Sequence, residues 1–261
     1  MAEKEKLRLG GMALANGVLV HGPTSWACAV RTGDGRIKTV ARRKRLLGSR
    51  VTSPLLRGPA RMAEAFAFLP DVKRALPEAQ LPFARTRVLG MMLGSAVVLH
   101  GVRRSRLGDA AKELVGGLLT VAPAVMSLRE GSVAAYHGAE HITIGTYEHG
   151  VKRAREHERC GTHLAGPLLV TATAGNILAS RVPLRFRSAA RITAALAAVA
   201  ASTEIFSWMQ RHPDHAVARA LSVPGHEFQH RVATAEPTPE QLEVAEAALR
   251  ACLELEESAA A

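Results

Sequence analysis

The residues of this sequence with the clearest chemical potential are His137, Glu140 and His141, which follow the spacing H-x-x-E-H. Residues four apart share one face of a helix, so both imidazoles can point at the same ion. Glu140 stands next to the second histidine, where its carboxylate can reach a water molecule on that ion. Two neutral histidines and a carboxylate base in this order are typical of inverted zinc-hydrolase motifs. Tyr136, directly before the first histidine, is assigned to the layer that supports the ligands.

A third ligand is expected from the segment that follows this helix. His157, Cys160 and His163 are spaced three apart, so they also converge on a helix or in a tight loop. A catalytic zinc ion takes three protein ligands and keeps a fourth position for water, so any one of these residues would complete the site. Glu148 lies seven residues past His141, about 10.5 Å along a straight helix, and is expected to orient a histidine instead of binding the metal.

A second pattern, H-E-x-x-H, occurs at His226 and His230 and matches the common zincin motif. That motif needs a helix, but here it follows Val223-Pro224-Gly225 and is soon interrupted by a loop at 234–239. We therefore treat His226 and His230 as an alternative metal pair, or as the source of a ligand for the first motif. For any of these histidines the competing interpretation is a simple core or capping residue.

The composition indicates a mainly helical protein with an anionic partner. The chain has 261 residues, of which 48% are apolar and only 4% aromatic, and much of the apolar share is alanine, which favours helices. A net charge of +11 implies an anionic membrane surface, a nucleic acid or an acidic substrate as partner.

The basic run Arg42, Arg43, Lys44 and Arg45 is the sharpest feature of this charge. It suits contact with the anionic inner leaflet of a membrane, and nucleic-acid phosphates are the alternative. No aromatic residues alternate with the basic ones to stack on bases, so nucleic acid is the weaker of the two interpretations. A solvated surface is the ordinary fate of such a run.

Three cysteines, Cys28, Cys160 and Cys252, are too scattered for a disulfide framework and fit a reducing compartment. Cys28 lies in an apolar strand-like run and Cys252 on the apolar face of the last helix, so both are predicted core residues. Cys160 alone has polar, histidine-rich neighbours, which makes it the one cysteine suited to chemistry.

Local patterns predict an α+β fold that is mainly α-helical. An N-terminal β element contains a hairpin in which the runs 26–30 and 36–40 flank an Asp-Gly turn. An alanine-rich helical bundle follows, and its His-rich helix at 132–149 is closed by Gly150.

The C-terminal helix has the clearest start signal. Thr238 is its cap and Gln241 closes a capping box around the first turn. The expected organisation is an N-terminal β element with the basic segment at 1–60, a helical domain at 61–222, and a C-terminal loop and helix at 223–261. We expect these parts to pack as one structural unit.

Four apolar segments are candidates for membrane contact, although none reaches the roughly 18 uncharged apolar residues that mark a spanning helix. Each is bracketed by Arg or Lys. They are Val88–Leu99, Leu114–Leu128, Leu164–Ser180 and Ile192–Ala201. Buried core helices are the simpler interpretation, and short re-entrant or interfacial membrane segments are the alternative.

Four blocks of sequence, spread over nearly the whole chain, form a set. They are Gly10-Gly11-Met12-Ala13 with Gly17-Val18 and Gly22-Pro23; Tyr136 to His141 with Tyr147-Glu148; His157 with Arg159-Cys160-Gly161-Thr162; and Pro224-Gly225, Gln229, Glu236-Pro237 and Glu243-Val244-Ala245. This set resembles the YqhQ-like family of bacterial proteins, a domain of unknown function (DUF1385). The resemblance implies metal dependence and membrane association, and it supplies no substrate. His226 and His230 lie outside the family pattern.

These patterns together predict a metal-dependent hydrolase, with zinc as the expected ion, at the cytoplasmic side of a bacterial membrane. The first alternative is a non-catalytic scaffold or assembly factor whose metal site is structural and closed. The second is a nucleic-acid-binding protein that uses the basic run 42–45. A cytoplasmic location and association of several copies of the chain both stay open.

Overall fold

The N-terminal part of the protein is a small antiparallel sheet. The computed structural model describes residues 6–45, 50–81, 86–129 and 132–260. The strands, β1 (Gly10–Leu14), β2 (Gly17–His21), β3 (Ser25–Arg31) and β4 (Ile37–Arg43), pair in the order β1-β2-β3-β4. The predicted hairpin is the β3–β4 pair, and Gly35 in its turn takes φ 82°, a left-handed conformation that favours glycine. This β element and the helices after it confirm the predicted α+β, mainly helical class.

Helices make up most of the remaining chain. They are α1 (Arg57–Ala67), α2 (Leu69–Ala75), α3 (Thr86–Arg104), α4 (Asp109–Arg129), α5 (Val133–His149), α6 (Ala165–Ser180), α7 (Arg187–Arg211), α8 (Ala216–Phe228) and α9 (Pro239–Ala260). Short 3₁₀ turns at Gly161–Leu164 and Leu184–Phe186 precede α6 and α7, and a π-helical turn, Gln229–Ala233, follows α8.

Two predicted helix ends are confirmed. Gly150 closes α5 with φ 73°, which glycine adopts without the steric penalty of a Cβ. At the start of α9, the Gln241 side chain accepts a hydrogen bond from the Thr238 backbone N–H at 2.9 Å, and the Gln241 N–H lies 3.4 Å from the Thr238 hydroxyl. This is the reciprocal capping box that the sequence predicts.

The chain divides into two compact units, each built from separate stretches of sequence. The first unit comprises Met1–Arg42, Val72–Arg155 and Val232–Ala261, and the second comprises Arg43–Asp71 and Glu156–Arg231. These stretches do not follow the sequential boundaries at 60 and 222 that the sequence suggests.

In the first unit, the sheet packs against α5 and α9. Its core includes Val18, Val20, Ala139 and Val244, all nearly inaccessible to solvent. Cys252 belongs to the same core, and Cys28 is also fully buried, which confirms the prediction for both cysteines. This core fixes the position of α5, the helix that carries the H-x-x-E-H motif.

A buried carboxylate anchors the end of α9 to the turn before β3. Glu256 accepts hydrogen bonds from the Thr24 N–H at 2.8 Å and from the Ser25 N–H and hydroxyl, both at 2.6 Å. Desolvation opposes ionisation of Glu256, but the bonds from Ser25 and Thr24 outweigh it and lower its pKa.

The predicted apolar segments lie on α3, α4, α6 and α7, and several of them expose large side chains. On α3, Leu93 is 71% exposed and Val97 is 73% exposed. One helical stretch among the described residues, Leu184–Arg211, has the length and composition to cross a bilayer, and only 22% of its apolar window is buried. By these criteria alone, this helix supports association with a membrane.

Candidate metal centre

Helix α5 brings the two histidines of the H-x-x-E-H motif together. His137 and His141 are one turn apart, and their ring centroids lie 4.3 Å from each other. His141 is 2% exposed and Glu140 is 6% exposed, so the motif faces the interior of the protein. His137 and His141 therefore lie on one face of α5, as their spacing of four residues predicts.

Both imidazoles are held in the tautomer that a metal ligand needs. Nδ1 of His137 lies 2.8 Å from the Ala233 carbonyl oxygen, and Nδ1 of His141 lies 2.6 Å from the Arg155 carbonyl oxygen. A carbonyl oxygen only accepts hydrogen bonds, so each Nδ1 carries the proton and each neutral ring keeps its lone pair on Nε2. Backbone carbonyls fix metal-binding histidines in proteins in the same way.

Glu140 lies beside both of these Nε2 atoms. Its Oε2 is 3.7 Å from Nε2 of His137 and 3.9 Å from Nε2 of His141. The side chain passes directly over Gly11 of β1, where an added Cβ would lie 2.2 Å from Oε1 of Glu140. Gly11 thus supplies the space that the carboxylate occupies, a role that the sequence analysis did not assign to it.

A second glycine allows the C-terminal segment to approach α5. A Cβ on Gly138 would lie 2.2 Å from the Ala235 carbonyl oxygen, and the Ala235 N–H donates to the Ala134 carbonyl at 2.9 Å. This close approach places Ala233 where its carbonyl can hold the His137 ring.

In the second unit, Gln229 organises the loop that carries the other candidate ligands. Gln229 is fully buried, and its Oε1 accepts a hydrogen bond from the His157 N–H at 3.0 Å. Its Nε2 lies 2.7 Å from the Thr162 hydroxyl and 3.0 Å from Nδ1 of His163. Gln229 lies in one of the family-like blocks of sequence, but no local pattern predicts its role, because its partners lie 66 to 72 residues earlier in the chain.

His163 is engaged by this network rather than presented as a ligand. The side chain is 6% exposed, and desolvation lowers the pKa of its imidazole. The ring is therefore neutral at neutral pH. Its Nδ1 accepts a hydrogen bond from the Gln229 amide, so the ring proton is on Nε2 and, unlike in His137 and His141, Nε2 carries no lone pair for a metal.

Cys160 belongs to the second unit and lies in the loop that Gln229 organises. Desolvation raises the pKa of the Cys160 thiol, and hydrogen bonds from Thr162 and Gly161 partly oppose that rise. A metal ion would favour the thiolate over the thiol.

The two residues expected to support the ligands lie on α5 on either side of the motif. Tyr136 is 5% exposed and belongs to the core of the first unit. Desolvation raises the pKa of its hydroxyl, and Arg31 lies close enough to oppose that rise. Glu148 is half-buried in the last turn of the helix.

The H-E-x-x-H residues do not lie on one regular α-helix. Helix α8 ends at Phe228, so His226 is α-helical and His230 is in the π-helical turn. Their rings are parallel with centroids 6.4 Å apart, and Nδ1 of His230 lies 2.9 Å from a Glu156 carboxylate oxygen. Glu227 pairs with Arg231 at 2.6 Å. The motif's carboxylate therefore faces an arginine.

One member of the basic run differs from its neighbours. Lys44 has a side chain only 3% exposed, its ammonium group pairs with Glu64 at 2.5 Å, and it lies 5.8 Å from the centre of the Phe68 ring. The sequence predicts that Lys44 contacts an anion or a lipid, but its ammonium charge is already paired with Glu64 inside the protein. Arg42, Arg43 and Arg45 remain the exposed members of the run.

Comparison with known proteins gives one result. A family model described as "Protein of unknown function (DUF1385)" matches residues 125–255, half of the chain. The chain belongs to the DUF1385 family. The matched region contains the motif on α5, Cys160 and Gln229, as the resemblance of the sequence blocks implies. No curated protein and no solved structure matches this DUF1385 chain.

Proposed function

We propose that this DUF1385 protein is a metal-dependent hydrolase associated with the cytoplasmic side of a bacterial membrane. The observation that carries the proposal is the tautomer in which its histidine pair is held. Two backbone carbonyls hold Nδ1 of His137 and His141, so each neutral ring carries its lone pair on Nε2, the nitrogen that would bind a cation.

The donor set favours zinc. Two imidazole nitrogens, with the thiolate of Cys160 as the third ligand that we propose, are the borderline and soft ligands that zinc accepts, whereas magnesium and calcium prefer oxygen ligands. Three protein donors would leave the ion open to water or substrate. Such a cation supplies Lewis acidity, which makes a water molecule acidic enough to act as a nucleophile at neutral pH.

Glu140 is the general base in this proposal. Its carboxylate lies beside Nε2 of both histidines and is 6% exposed, so it would take a proton from a water molecule held beside them and pass that proton to the leaving group of the substrate. Gly11 and the turn of α5 hold the carboxylate in place.

The proposed membrane location is supported by the charge and by one helix. The net charge of +11 favours an anionic surface, and the stretch Leu184–Arg211 is long and apolar enough to enter a bilayer. The exposed arginines of the run 42–45 would add contacts with headgroup phosphates.

A closed structural site is the second candidate, and the position of Glu140 favours it. Two ligands of a tetrahedral zinc ion lie about 3.3–3.8 Å apart, given bonds of about 2.0–2.3 Å. The Glu140 oxygen is 3.7 and 3.9 Å from the two Nε2 atoms, so a small movement would make it a fourth ligand. The protein would then be a scaffold stabilised by its metal.

Metal content of untagged protein tests the proposal first. Wild type should contain about one zinc ion per chain by elemental analysis, and His137→Ala, His141→Ala and Cys160→Ser should each lose most of it, because three ligands cannot be reduced to two without a large loss of affinity. His226→Ala with His230→Ala is the matched control and should retain the metal. Equal metal content in wild type and the His137 and His141 variants would disprove the site.

The substitution Glu140→Gln distinguishes a catalytic metal site from a closed structural one. Glutamine keeps the shape of the side chain but cannot act as a base, so a hydrolase should keep its metal and its stability while losing at least a hundredfold in rate. In a closed structural site, the same change should lower metal affinity and unfolding temperature together. Turnover of chromogenic esters and phosphoesters, metal content and thermal unfolding are measured on one preparation.

A further inference from the structure

Helices α6 and α7 of the second unit form a hairpin that exposes apolar side chains on several sides. Leu169 is 65% exposed, Ile177 is 51% exposed and Leu196 is 67% exposed. At the tip, Leu184 is 79% exposed and Phe186 is 52% exposed. A helix in water confines such residues to one buried stripe, whereas a helix that is apolar all round belongs in a core or a membrane.

Hydroxyl groups of the hairpin satisfy their hydrogen bonds within their own helices. Thr171 donates to the Pro167 carbonyl at 2.9 Å, and Thr173 donates to the Leu169 carbonyl at 2.7 Å. Ser202 and Thr203 on α7 donate to carbonyls one turn earlier. These groups therefore need no water, as a hydrocarbon environment requires.

A groove of about 550 Å³ runs between the two helices, and small residues form most of its walls. Its lining includes Ala174, Gly175, Leu178, Ala194 and Ala197. A Cβ on Gly175 would lie 3.1 Å from Cβ of Ala194, so the helices are in close contact beside the groove. An open, apolar groove of this kind suits a flexible hydrocarbon chain.

From the start of α6 to residue 203 of α7, the charged residues of the hairpin are all arginines. No aspartate or glutamate occurs between Glu158 and Glu204, and the tip between the helices carries Arg181, Arg185 and Arg187. Glu204, the first acid after this stretch, is paired through both carboxylate oxygens with Arg57 of α1. An apolar body with a cationic tip complements a bilayer that contains anionic lipids.

We infer that the α6–α7 hairpin inserts into the bilayer and that the arginines of its tip bind the phosphates of anionic phospholipids. Helix α6 has 16 residues and is about 24 Å long, against a hydrocarbon thickness of about 30 Å. Long arginine side chains extend the remaining distance to the headgroups. This inference rests on the proposed membrane association and is independent of the metal chemistry.

Insertion is tested with the full-length protein in bacterial membranes. Membranes are washed with alkaline carbonate and floated in a density gradient, so that aggregates sediment away from lipid. Wild type should float after the wash. Leu169→Glu should reduce the floating fraction by at least tenfold, because a carboxylate on the inserted face opposes insertion strongly. Val151→Glu is the matched control, since Val151 is 62% exposed and lies outside the hairpin, and it should float like wild type.

Vesicles of different lipid composition test whether the arginines at the tip bind anionic phospholipids. In reconstituted vesicles, wild type should bind phosphatidylglycerol-containing bilayers at least tenfold better than pure phosphatidylcholine. Arg185→Gln with Arg187→Gln should lose that preference, and Arg36→Gln with Arg250→Gln should keep it. An unchanged preference in the tip variant would overturn the assignment of the arginines.

Three results would overturn insertion, and they differ in what they say about the proposed location. Wild type that floats before the carbonate wash and is released by it is peripheral, so the hairpin inference fails while membrane association stands. Wild type that never floats disproves both. Leu169→Glu that floats like wild type shows that the exposed face of α6 is covered by something other than lipid, such as a second copy of the chain.

Discussion

Gly11→Ala is the substitution that tests the proposed base most selectively. The added methyl would lie 2.2 Å from Oε1, 2.5 Å from Cδ and 2.6 Å from Cγ of Glu140, whereas ordinary contact starts at 3.4 Å. The carboxylate oxygen must therefore move by about 1.2 Å. A misplacement on the order of 1 Å at a reacting group costs about a hundredfold in rate.

The fold should tolerate this change. The atoms in the way belong to a side chain that can rotate, at a cost of about 0.5–1.5 kcal/mol for a strained rotamer. Replacing glycine by alanine in a strand returns about 0.5–1 kcal/mol of that cost. We therefore expect unfolding temperature and metal content close to those of wild type.

The assay compares turnover of a chromogenic substrate with zinc content in wild type, Gly11→Ala, Glu140→Gln and Gly33→Ala. Gly33 is the control because an added Cβ meets nothing within 4 Å. We expect Gly11→Ala to lose about a hundredfold in rate with its zinc retained, and Gly33→Ala to behave as wild type. The reasoning is refuted if Gly11→Ala turns over at the wild-type rate while Glu140→Gln is inactive.

The remaining predictions concern the groups that position the site. Gln229→Leu should weaken zinc binding by about 10–100-fold in a chelator competition, because a supporting contact of the Cys160 loop is lost. Equal affinities of wild type and Gln229→Leu would show that the Gln229 amide is dispensable. Gly138→Ala should lower the free energy of unfolding by about 1–3 kcal/mol, measured with denaturant, because its Cβ would meet a backbone oxygen that cannot rotate away. A Gly138→Ala variant as stable as wild type would contradict this. Glu256 has a lowered pKa in the folded protein, so its stabilisation is present above its ordinary value of 4.5 and lost as the pH falls through the lower folded value. Glu256→Gln should therefore be less stable than wild type at pH 7, and this difference should shrink as the pH falls below 4.5; a difference that does not change with pH would argue against the anchor.

Features that depend on neighbouring residues could be predicted from the sequence. The β3–β4 hairpin follows from its turn residues, the α9 cap from the spacing of Thr238 and Gln241, and the convergence of His137 and His141 from the helical repeat. Each of these rests on an interaction spanning four residues or fewer. The family assignment also followed from local blocks of sequence.

Features that depend on distant parts of the chain could not be predicted. From their spacing, His157, Cys160 and His163 are equally suitable as the third ligand. Only the contacts of Gln229 show that Nδ1 of His163 is already hydrogen-bonded to its amide. A run of basic residues suggests a solvated face, but Lys44 is buried and pairs with Glu64. This partner lies 20 residues further along the chain, so the run itself does not reveal it. Gly11 and Glu140 are far apart in sequence, and no periodicity links them.

The carbonyl that holds the His137 ring belongs to Ala233, which is 96 residues later in the chain. During synthesis on the ribosome, the motif helix is therefore complete long before the group that fixes its first imidazole has been made. A nascent chain would present His137 in either tautomer and in several orientations. Loading of the site should accordingly be a late event, completed only after the segment that contains Ala233 has emerged.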